Sequence, residues 1–539
     1  MTPAPENEDH LESTHRDYYV DPAEIHFVRF VTEAWDGVAF MSTLDERAGL
    51  IRLSVPPGRE GEADEMMDAL GRDVSLSPAE KGCGRKLAHI KTMGCQMNVY
   101  ESLQMMRSLE PLGYVETGSV KNADLIVVNT CAVREKAQQK VVSFLGRLRK
   151  QKAENPGLII AVGGCVAQSM GEILIEKMPF VDIVFGTHAV GRLGGYVEEA
   201  RTLGRKVVDV TLSGRYDFSG AGRLPSKREA SSPTAFVTII QGCDNFCSYC
   251  VVPHVRGRET SRPPAEVLSE VAALAGRGVK EVTLLGQNVN SYGKKENTEG
   301  FAELLYRVSE IEGIERIRFT TSHPKDLSDD LVRAFGEIKK LCGHLHLPVQ
   351  SGSNRILKKM NRGYTREDYL SKVEKLRRAR PDICLTSDFI VGFPTETEDE
   401  FEESLSLIRE VAFSGLFAFN YSDRPPAAAV KFSGKVAPEI QSERLSRLLA
   451  VNDELSRAAY ESLVGKTVEV LVEGRSKSDR MQLTGRTGCH KIVNFPLPPS
   501  TGRAARNWEG EMATVTIERS LAHSLLGRMI PDESRPTDQ

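Results

Sequence analysis

The sequence QGCDNFCSYC, residues 241–250, contains three cysteines in a C-x3-C-x2-C pattern: Cys243, Cys247 and Cys250. It follows an apolar run, AFVTIIQ (235–241), whose β-branched and aromatic residues predict a strand. Three thiolates at this spacing can bind three irons of a [4Fe–4S] cube and leave the fourth iron open to a small molecule. A structural zinc ion is the alternative, but structural zinc prefers four protein ligands, and no fourth Cys or His completes a paired pattern here. The loop therefore predicts a catalytic cluster.

The strand before this loop is the first of six strand candidates that alternate with amphipathic helices. The others are VKEVTLLGQ (279–287), RIRFTTS (316–322), HLHLPVQ (344–350), CLTSDFIVGF (384–393) and LFAFNYS (416–422). Alternating strands and helices predict a parallel sheet, and six units are fewer than the eight of a full barrel. Residues 231–462 are therefore predicted to form a partial (β/α)6 barrel of the α/β class. The cysteine loop then lies at the carboxyl end of a barrel strand, where barrel enzymes place their chemistry.

Residues 86–202 predict a second α/β domain, built on a doubly wound parallel sheet. Its buried strand candidates are LAHIKTM (87–93), ADLIVVNT (123–130), LIIAVGG (158–164) and VDIVFGT (181–187). Cys95, Cys131 and Cys165 follow the first three of these strands. Because parallel strands end at one edge of the sheet, where ligands collect, the three cysteines are expected to converge on a second three-thiolate site. The alternative is that each is an ordinary small buried residue.

The first 85 residues predict a small acidic α+β extension. Residues 1–80 contain 18 Asp or Glu and 6 Arg or Lys, a balance of −12, so the rest of the chain carries +8 within the net charge of −4. Strands are predicted at 25–35, 38–43 and 49–55, with an acidic helix at 62–70. The basic remainder permits contact with nucleic acid. No residue pattern in the extension predicts a chemistry.

Residues 463–531 predict a small basic β-barrel. Short strands are predicted in TVEVLVEG (467–474), RMQLTGRT (480–487), KIVNFP (491–496), EMATVTIE (511–518) and SLLGRMI (524–530). Five strands in about 65 residues are typical of an OB-like barrel. A helix at 439–463 precedes them, residues 203–230 form a Gly/Ser/Arg/Lys-rich linker, and 532–539 form a tail.

The chain has 539 residues and ten cysteines. Its first residues show no basic segment followed by an apolar one, and no apolar run reaches about 18 residues. These features predict a cytoplasmic protein without a membrane span, whose cysteines are free thiols or metal ligands rather than disulfides. Cys83, Cys342, Cys384 and Cys489 are expected to be ordinary thiols outside both sets of ligands.

A series of longer motifs spans residues 86–531. In order they are TMGCQMNVYES, NTCAVREKAQQKV, GGCVAQ, FGTH, QGCDNFCSYCVVPHVRGRETSRP, GQNVNSYG, TSHPKDL, LPVQSGSNRILKKMNRGYT and FIVGFPTETEDEF. The series resembles the methylthiotransferase family of radical S-adenosylmethionine (SAM) enzymes. The resemblance implies a methylthiotransferase N-terminal domain, a radical SAM barrel and a C-terminal TRAM domain that binds RNA. YSDRPPAAAVKF (421–432) and GRTGCHKIVNF (485–495) depart from the family pattern, and the N-terminal extension lies outside it.

The resemblance also implies a substrate, the tRNA anticodon stem-loop, in which C2 of adenosine 37 would receive a methylthio group. The motifs GCQMNVYES and VVPHVRGRETSRP favour the branch of the family that acts on N6-dimethylallyl(isopentenyl)adenosine. The branch that acts on N6-threonylcarbamoyladenosine is the alternative. A non-catalytic iron–sulfur RNA-binding sensor is an alternative of a different class.

Two [4Fe–4S] clusters and SAM are the implied cofactors. SAM would bind the cluster of Cys243, Cys247 and Cys250, where one electron from a reductant such as flavodoxin or ferredoxin would cleave it to a 5′-deoxyadenosyl radical. A second cluster, on Cys95, Cys131 and Cys165, would supply sulfur. A second SAM would supply the methyl group, and the enzyme is expected to be a monomer.

Candidate SAM contacts lie at the ends of the barrel strands. They are Gln287, Asn288, Ser322, Gln350, Ser351 and Asp388. Arg362, in the MNRGY turn, is a candidate for the SAM carboxylate, because arginine forms bidentate pairs with carboxylates. Helix capping or turn formation is the alternative role for each of these residues. Phe246 and Tyr249, inside the cysteine loop, are expected to shield the cluster.

Overall fold

The computed structural model describes residues 13–35, 37–79, 86–132, 135–218, 232–477, 479, 481–497 and 508–530. The chain forms two compact units, residues 1–211 and 212–539. Cys83, residues 219–230 of the predicted linker and the predicted tail lie outside the described residues. Among the helices in the described ranges, none is long and apolar enough to cross a membrane.

The N-terminal extension is a small α+β domain with its own apolar core. Its elements are β1 (Thr14–Tyr19), α1 (Ile25–Ala34), β2 (Phe40–Asp45), β3 (Leu50–Val55), α2 (Glu60–Asp73) and β4 (Ser77–Pro78). The strands pair in the order β2-β3-β1-β4. The core lies between this sheet and the helices and includes Val28, Ile51 and Met66.

The strand predicted at 25–35 is wrong, because this segment is helix α1. Ile25, Val28 and Thr32 are its buried residues, and their spacing of three and four places them on one helical face. Phe27 and Phe30 point away from the core and are 40% and 69% exposed. The β-branched and aromatic content that suggested a strand is therefore distributed around a helix.

The rest of the N-terminal unit is the predicted doubly wound sheet. Its strands are β5 (Lys86–Met93), β6 (Tyr114–Glu116), β7 (Leu125–Thr130), β8 (Ile159–Gly164), β9 (Ile183–Phe185) and β10 (Val207–Asp209), in the parallel order β10-β9-β8-β7-β5-β6. Its helices are α3 (Gln96–Leu109), α4 (Glu135–Glu154), α5 (Cys165–Met170), α6 (Glu172–Lys177) and α7 (Leu193–Leu203). Apolar cores cover both faces of the sheet. Strand β10 falls inside the predicted linker, so the sheet extends to Asp209.

The extension is joined to this sheet through the carboxylate of Asp45. That side chain is buried and accepts hydrogen bonds from the Thr117 hydroxyl and from the backbone N–H of Gly118 (3.1 Å) and Ser119 (3.4 Å). Beside it, Ala48 and Leu50 pack against Leu87 of β5. The extension therefore shares a polar and an apolar contact with the end of the sheet.

Replacing Asp45 with alanine is expected to loosen this contact. The Gly118 N–H would be left without its acceptor, at a cost of about 1–3 kcal/mol, and the Ser119 N–H would keep only its bond to the Thr117 hydroxyl (3.0 Å). Local opening should then rise by roughly 5- to 160-fold, measured as faster deuterium exchange of residues 114–119 in the full-length protein. The exposed Arg47–Glu116 pair supplies the control, since Arg47→Ala should change exchange little.

The same contact should weaken in acid. Burial raises the pKa of Asp45, but hydrogen bonds from Thr117 and from backbone N–H groups outweigh it and leave the pKa below its ordinary value. The stabilisation of the contact by the ionised Asp45 carboxylate is therefore fully present above about pH 4 and is lost as the pH falls through the lowered pKa. The difference in deuterium exchange between wild type and Asp45→Ala should therefore shrink as the pH falls. A difference that stayed the same at all acidic pH values would contradict this.

The C-terminal unit begins with the predicted partial barrel. Its strands are β11 (Thr234–Thr238), β12 (Ile240–Gln241), β13 (Thr260–Ser261), β14 (Glu281–Leu285), β15 (Arg316–Phe319), β16 (His344–His346), β17 (Cys384–Val391) and β18 (Gly415–Asn420). Its helices are α8 (Val252–Arg256), α9 (Pro264–Ala275), α10 (Phe301–Ser309), α11 (Asp329–Glu337), α12 (Asn354–Lys359), α13 (Arg366–Ala379), α14 (Glu398–Val411) and α15 (Pro438–Glu461). The parallel orders are β11-β14-β15 and β16-β17-β18, and Ile317 of β15 forms an isolated parallel bridge with Leu341, just before β16. Each predicted barrel strand is confirmed.

The last domain is the predicted small barrel. Its strands are β19 (Thr467–Arg475), β20 (Gln482–Thr487), β21 (Ile492–Pro496), β22 (Met512–Ser520) and β23 (Leu525–Met529). They close in the order β19-β20-β21-β23-β22 around a core that includes Val470, Phe495 and Val515. Closure leaves no open sheet edge, as expected of an OB-like barrel.

Candidate iron–sulfur sites

The loop with Cys243, Cys247 and Cys250 follows β12 at the carboxyl end of the first barrel strand, as predicted. The three thiols lie close enough to influence one another. Burial raises the pKa of Cys243 to about 11, and burial followed by the neighbouring Cys247 raises that of Cys250 to about 12. Thiolates in this loop are thus unfavourable unless a cation neutralises them. An iron cluster would supply that charge, so the donor set fits a cluster.

Hydrogen bonds from four separate segments fix the conformation of this loop. The Gln287 side chain accepts from the Gly242 N–H (2.6 Å), and the Cys243 N–H donates to the Gly257 carbonyl (3.3 Å). The Ser248 N–H donates to Met360 (3.0 Å), and Ala429 donates to Ser248 (2.7 Å). Ala429 belongs to the atypical segment 421–432, which therefore contacts the loop despite its unusual sequence.

Arg362 lies against this loop with its guanidinium buried. Nη1 donates to the sulfur of Cys247 (3.3 Å) and to the Tyr249 hydroxyl (3.3 Å). Its other nitrogens donate to the Tyr364 hydroxyl (2.9 Å) and to the Pro348 carbonyl. All three nitrogens are therefore used within the protein. Arg362 is therefore a cation beside a candidate ligand sulfur, and its predicted contact with the SAM carboxylate stays a prediction.

The other candidate SAM contacts divide into two groups. Gln287 binds the loop backbone, and Ser351 accepts from the Ser353 N–H (3.2 Å), so both have structural partners. Asn288 and Ser322 are buried, and among the described residues the Asn288 Oδ1 and Ser322 Oγ atoms have no hydrogen-bond partner. Buried polar atoms of this kind are normally satisfied, so these two are suited to a polar ligand.

Gln350 and Asp388 occupy neighbouring strand ends. The Gln350 N–H donates to the Asp388 carbonyl (2.9 Å), and Gln350 has a left-handed backbone with φ of 79°. The Asp388 carboxylate lies 3.5 Å from Nε2 of His346. The side chain of Asp388 is 28% exposed, which leaves it accessible to a ligand.

Sequence reasoning missed His323, a histidine beside the loop. Its Nε2 lies 3.8 Å from the Cys247 sulfur, and its Nδ1 accepts from the Lys325 N–H (3.2 Å). Burial, and then the positive charge of Arg362, lower the pKa of His323 far below its ordinary value. The imidazole is therefore neutral. Its position in TSHPKDL, directly after strand β15, was the available signal.

The loop's two aromatic residues differ in exposure. Phe246 is 43% exposed and lies below the guanidinium of Arg258 (5.6 Å). Tyr249 is half-buried and packs against a cluster that includes Met360 and Tyr421. Tyr249 is thus placed to shield the cysteines, whereas Phe246 leaves a face free for another molecule.

The second set of cysteines lies at the carboxyl edge of the N-terminal sheet. Strand pairing aligns Met93, Thr130 and Gly164 in one row across β5, β7 and β8. The cysteines follow this row within two residues: Cys95, Cys131 and Cys165. The structure therefore brings all three to the same edge, as the sequence predicted. Cys95 is exposed, whereas Cys131 and Cys165 are buried.

A buried amide network connects the three strand ends. The Asn98 side chain donates to Asn129 (2.8 Å) and to the Thr130 carbonyl (3.1 Å), and it accepts from the Cys95 N–H (3.1 Å). Gly164 has φ of 89°, and a Cβ there would lie 2.4 Å from the Thr130 carbonyl oxygen. The glycine before Cys165 is thus required for the close approach of β8 to β7.

The nine cysteines that the structure describes are all reduced. Within the described ranges, no three His, Cys, Asp or Glu side chains converge as a single metal ion would require. The thiolates of a cube bind different irons, so they need not converge on one point. Both sets of cysteines fit three-thiolate cluster sites in number and position.

Comparison with known families gives four matched regions. Residues 237–408 match the Radical SAM superfamily, and 461–530 match the TRAM domain. Residues 87–186 match Uncharacterized protein family UPF0004, and 18–74 match a Domain of unknown function (DUF4911). The extension is therefore a recognised domain.

Relatives are similar over most of the chain. A tRNA-2-methylthio-N(6)-dimethylallyladenosine synthase of Syntrophus aciditrophicus is 49% identical over 83% of this chain and 95% of the relative. The chain belongs to the radical SAM methylthiotransferase family. A synthase of the same name from Geobacter metallireducens is 48% identical over 83% of this chain and 99% of the relative. As a radical SAM methylthiotransferase, the chain uses iron–sulfur chemistry and SAM.

Solved structures are similar only at a distance. The radical SAM methyltransferase TsrM of Kitasatospora setae, with tryptophan and a SAM analogue bound, has a TM-score of 0.47 and 14% identity. The similarity covers 62% of this chain and 72% of that one.

Proposed function

We propose that this methylthiotransferase adds a methylthio group to C2 of N6-dimethylallyladenosine at position 37 of tRNA. The observation that supports it best is 45–49% identity to synthases named for this product, over 77–84% of the chain. A radical SAM barrel with its cysteine loop at the strand ends is consistent with attack on a carbon that is neither acidic nor electrophilic. The TRAM barrel at the C-terminus is the expected RNA-binding part.

Two [4Fe–4S] clusters are part of the proposal. Cys243, Cys247 and Cys250 would bind one, and Cys95, Cys131 and Cys165 the other. When bound, the first supplies the electron that cleaves SAM to a 5′-deoxyadenosyl radical, and the second supplies sulfur. The open position on the first suits SAM, because three thiolates leave one iron without a protein ligand.

The residues around the first site would bind and orient the cluster and SAM. Asn288 and Ser322 each offer a buried polar atom to SAM. The hydrogen bonds from four segments keep the three thiols in place, so little reorganisation is needed when a cluster and SAM bind. Arg362 adds a positive charge and an N–H donor at the Cys247 sulfur.

Replacing Arg362 with glutamine is expected to lower the reduction potential of this cluster. A positive charge beside the ligand sulfur stabilises the more negative, reduced form, so its loss favours the oxidised form. A differential effect of about 1 kcal/mol corresponds to roughly 40 mV for one electron. Redox titration followed by electron paramagnetic resonance measures the shift.

The exposed Arg378 provides the matched control, since Arg378→Gln removes the same charge away from the loop. Circular dichroism should show that both variants fold. An unchanged potential in the folded Arg362→Gln protein would refute this role.

The proposed substrate is the tRNA anticodon stem-loop, whose unstacked loop bases can enter a pocket. A flavodoxin or ferredoxin supplies the electron, the protein acts as a monomer, and the site of tRNA modification is the cytoplasm.

Nucleoside analysis of tRNA from cells that lack this chain tests the substrate. We expect 2-methylthio-N6-dimethylallyladenosine to disappear and N6-dimethylallyladenosine to accumulate. Loss of the 2-methylthio derivative of threonylcarbamoyladenosine instead would favour the alternative branch. If neither nucleoside changed, a non-catalytic RNA-binding role would gain support.

A further inference from the structure

The turn between β20 and β21 docks on the amino-terminal ends of the radical SAM barrel strands. Arg318 of β15 donates to the carbonyls of Thr487 (2.7 Å) and Gly488 (3.0 Å). The His490 ring stacks on His344 of β16, with centroids 5.4 Å apart. The turn belongs to the stretch 485–495 that departs from the family pattern. It brings Cys489 of the TRAM barrel to the first residue of β17, Cys384.

A cavity of about 520 Å³ opens at this joint. Cys384 and Cys489 line it and are half-buried, whereas the neighbouring Cys342 is buried. The charged residues lining the cavity are mainly basic: Arg316, Lys339, Lys340, Arg380, Lys466 and Lys491, against Glu315, Asp382 and Glu469. Two accessible thiols thus share a cavity suited to an anionic small molecule.

The two thiols line the same cavity and are not equivalent. The Cys489 sulfur lies 3.2 Å from the Thr487 hydroxyl. The neighbouring Cys384 thiol, with help from Thr487 and the charge of Lys491, lowers the pKa of Cys489. The neighbouring Cys489, and then burial, raise the pKa of Cys384. Cys489 therefore has the properties of an attacking thiolate, and Cys384 those of a resolving thiol.

We propose that Cys384 and Cys489 form a dithiol site that closes reversibly to a disulfide between the radical SAM barrel and the TRAM domain. The oxidant is an anionic low-molecular-weight disulfide. The Cys489 thiolate attacks one of its sulfurs, forming a mixed disulfide and releasing one thiolate. Cys384 then gives its proton to the thiolate released in the first step and attacks the Cys489 sulfur of the mixed disulfide. The other half of the oxidant leaves as a second thiolate. Two electrons pass from the cysteines to the oxidant, whose S–S bond breaks as the Cys384–Cys489 bond forms.

The consequence is a covalent bond at a joint that hydrogen bonds, ring stacking and the Arg316–Glu469 ion pair otherwise hold. In the reduced state, Arg318 and His344 hold the turn. In the oxidised state, the turn cannot leave the barrel. Both cysteines lie at the opposite end of the barrel strands from Cys243, so the covalent bond is separate from the cysteine loop.

Peptide mapping of the full-length protein tests this site. The protein is treated anaerobically with glutathione disulfide, free thiols are alkylated, and the digest is examined by mass spectrometry without reduction. We expect a linked peptide pair that contains Cys384 and Cys489, two hydrogens lighter than the separate peptides. Dithiothreitol should remove the link.

Two variants define the roles. In Cys384→Ser, Cys489 should retain the glutathione adduct, because the resolving thiol is absent. In Cys342→Ser, the matched control in the same cavity, the link should form as in the wild type. A wild-type protein in which Cys489 is alkylated or keeps a stable glutathione adduct, with no linked pair, would overturn the proposal. So would a link that forms through Cys342 instead.

Discussion

The Cys247→Ala protein is expected to lose reductive cleavage of SAM to the level of the protein-free background. The loop would retain only Cys243 and Cys250, and the sulfur that receives the Arg362 hydrogen bond would be absent. Because each [4Fe–4S] cluster contributes the same number of irons, bound iron should fall by about half. The measurements are 5′-deoxyadenosine formed by the reconstituted, reduced protein, and iron per chain.

Cys342→Ala is the control for this result. Cys342 is a buried cysteine of the same unit, away from the cysteine loop, so cleavage and iron content should match the wild type. Cleavage that persists in Cys247→Ala would show that this loop does not bind the catalytic cluster.

The Cys131→Ala protein is expected to cleave SAM but not to methylthiolate tRNA. Cys131 follows β7 in the N-terminal unit, whereas the cysteine loop belongs to the other unit. Removing it leaves Cys95 and Cys165 as the remaining thiols of the second set. Iron should again fall by about half, while 5′-deoxyadenosine still forms without a methylthiolated nucleoside.

Nucleoside analysis of the tRNA after reaction measures this separation of the two activities. The Cys342→Ala control should retain both. Normal yield of the methylthiolated nucleoside in Cys131→Ala would refute the second site, and loss of SAM cleavage would refute the division of roles between the two sets of cysteines.

A helix or strand could be predicted wherever the spacing of its apolar residues fitted only one of the two structures. Strand β7 is a continuous buried run, and β17 alternates between buried and half-buried residues, so both were recognised. Segment 25–35 was mistaken for a strand because its apolar residues satisfy either period. Only the tertiary structure, in which Val28 packs into the core and Phe30 is exposed, distinguishes the helix from a strand.

The candidate sites could be predicted where the direction of parallel strands determines the position of the residues that follow them. Parallel strands necessarily bring Cys131 and Cys165 to one edge, and the register confirms that they follow neighbouring residues in one row. Arg362 and His323 were different. Their contacts with Cys247 span more than 70 residues, and no spacing in the sequence encodes which partner a buried cation or imidazole will meet.

The joint between Cys384 and Cys489 shows the same limit. Each cysteine alone was expected to be an ordinary thiol, because neither belongs to a ligand spacing. Their contact depends on the docking of the β20–β21 turn beneath the barrel, which Arg318 and His344 determine.

Reconstitution with defined tRNA tests the central account most directly. The reduced full-length protein is incubated with SAM and tRNA that carries N6-dimethylallyladenosine at position 37, and the tRNA is digested to nucleosides. We expect 2-methylthio-N6-dimethylallyladenosine to form together with 5′-deoxyadenosine. Formation of 5′-deoxyadenosine with unchanged N6-dimethylallyladenosine, in a protein that methylthiolates threonylcarbamoyladenosine instead, would contradict it.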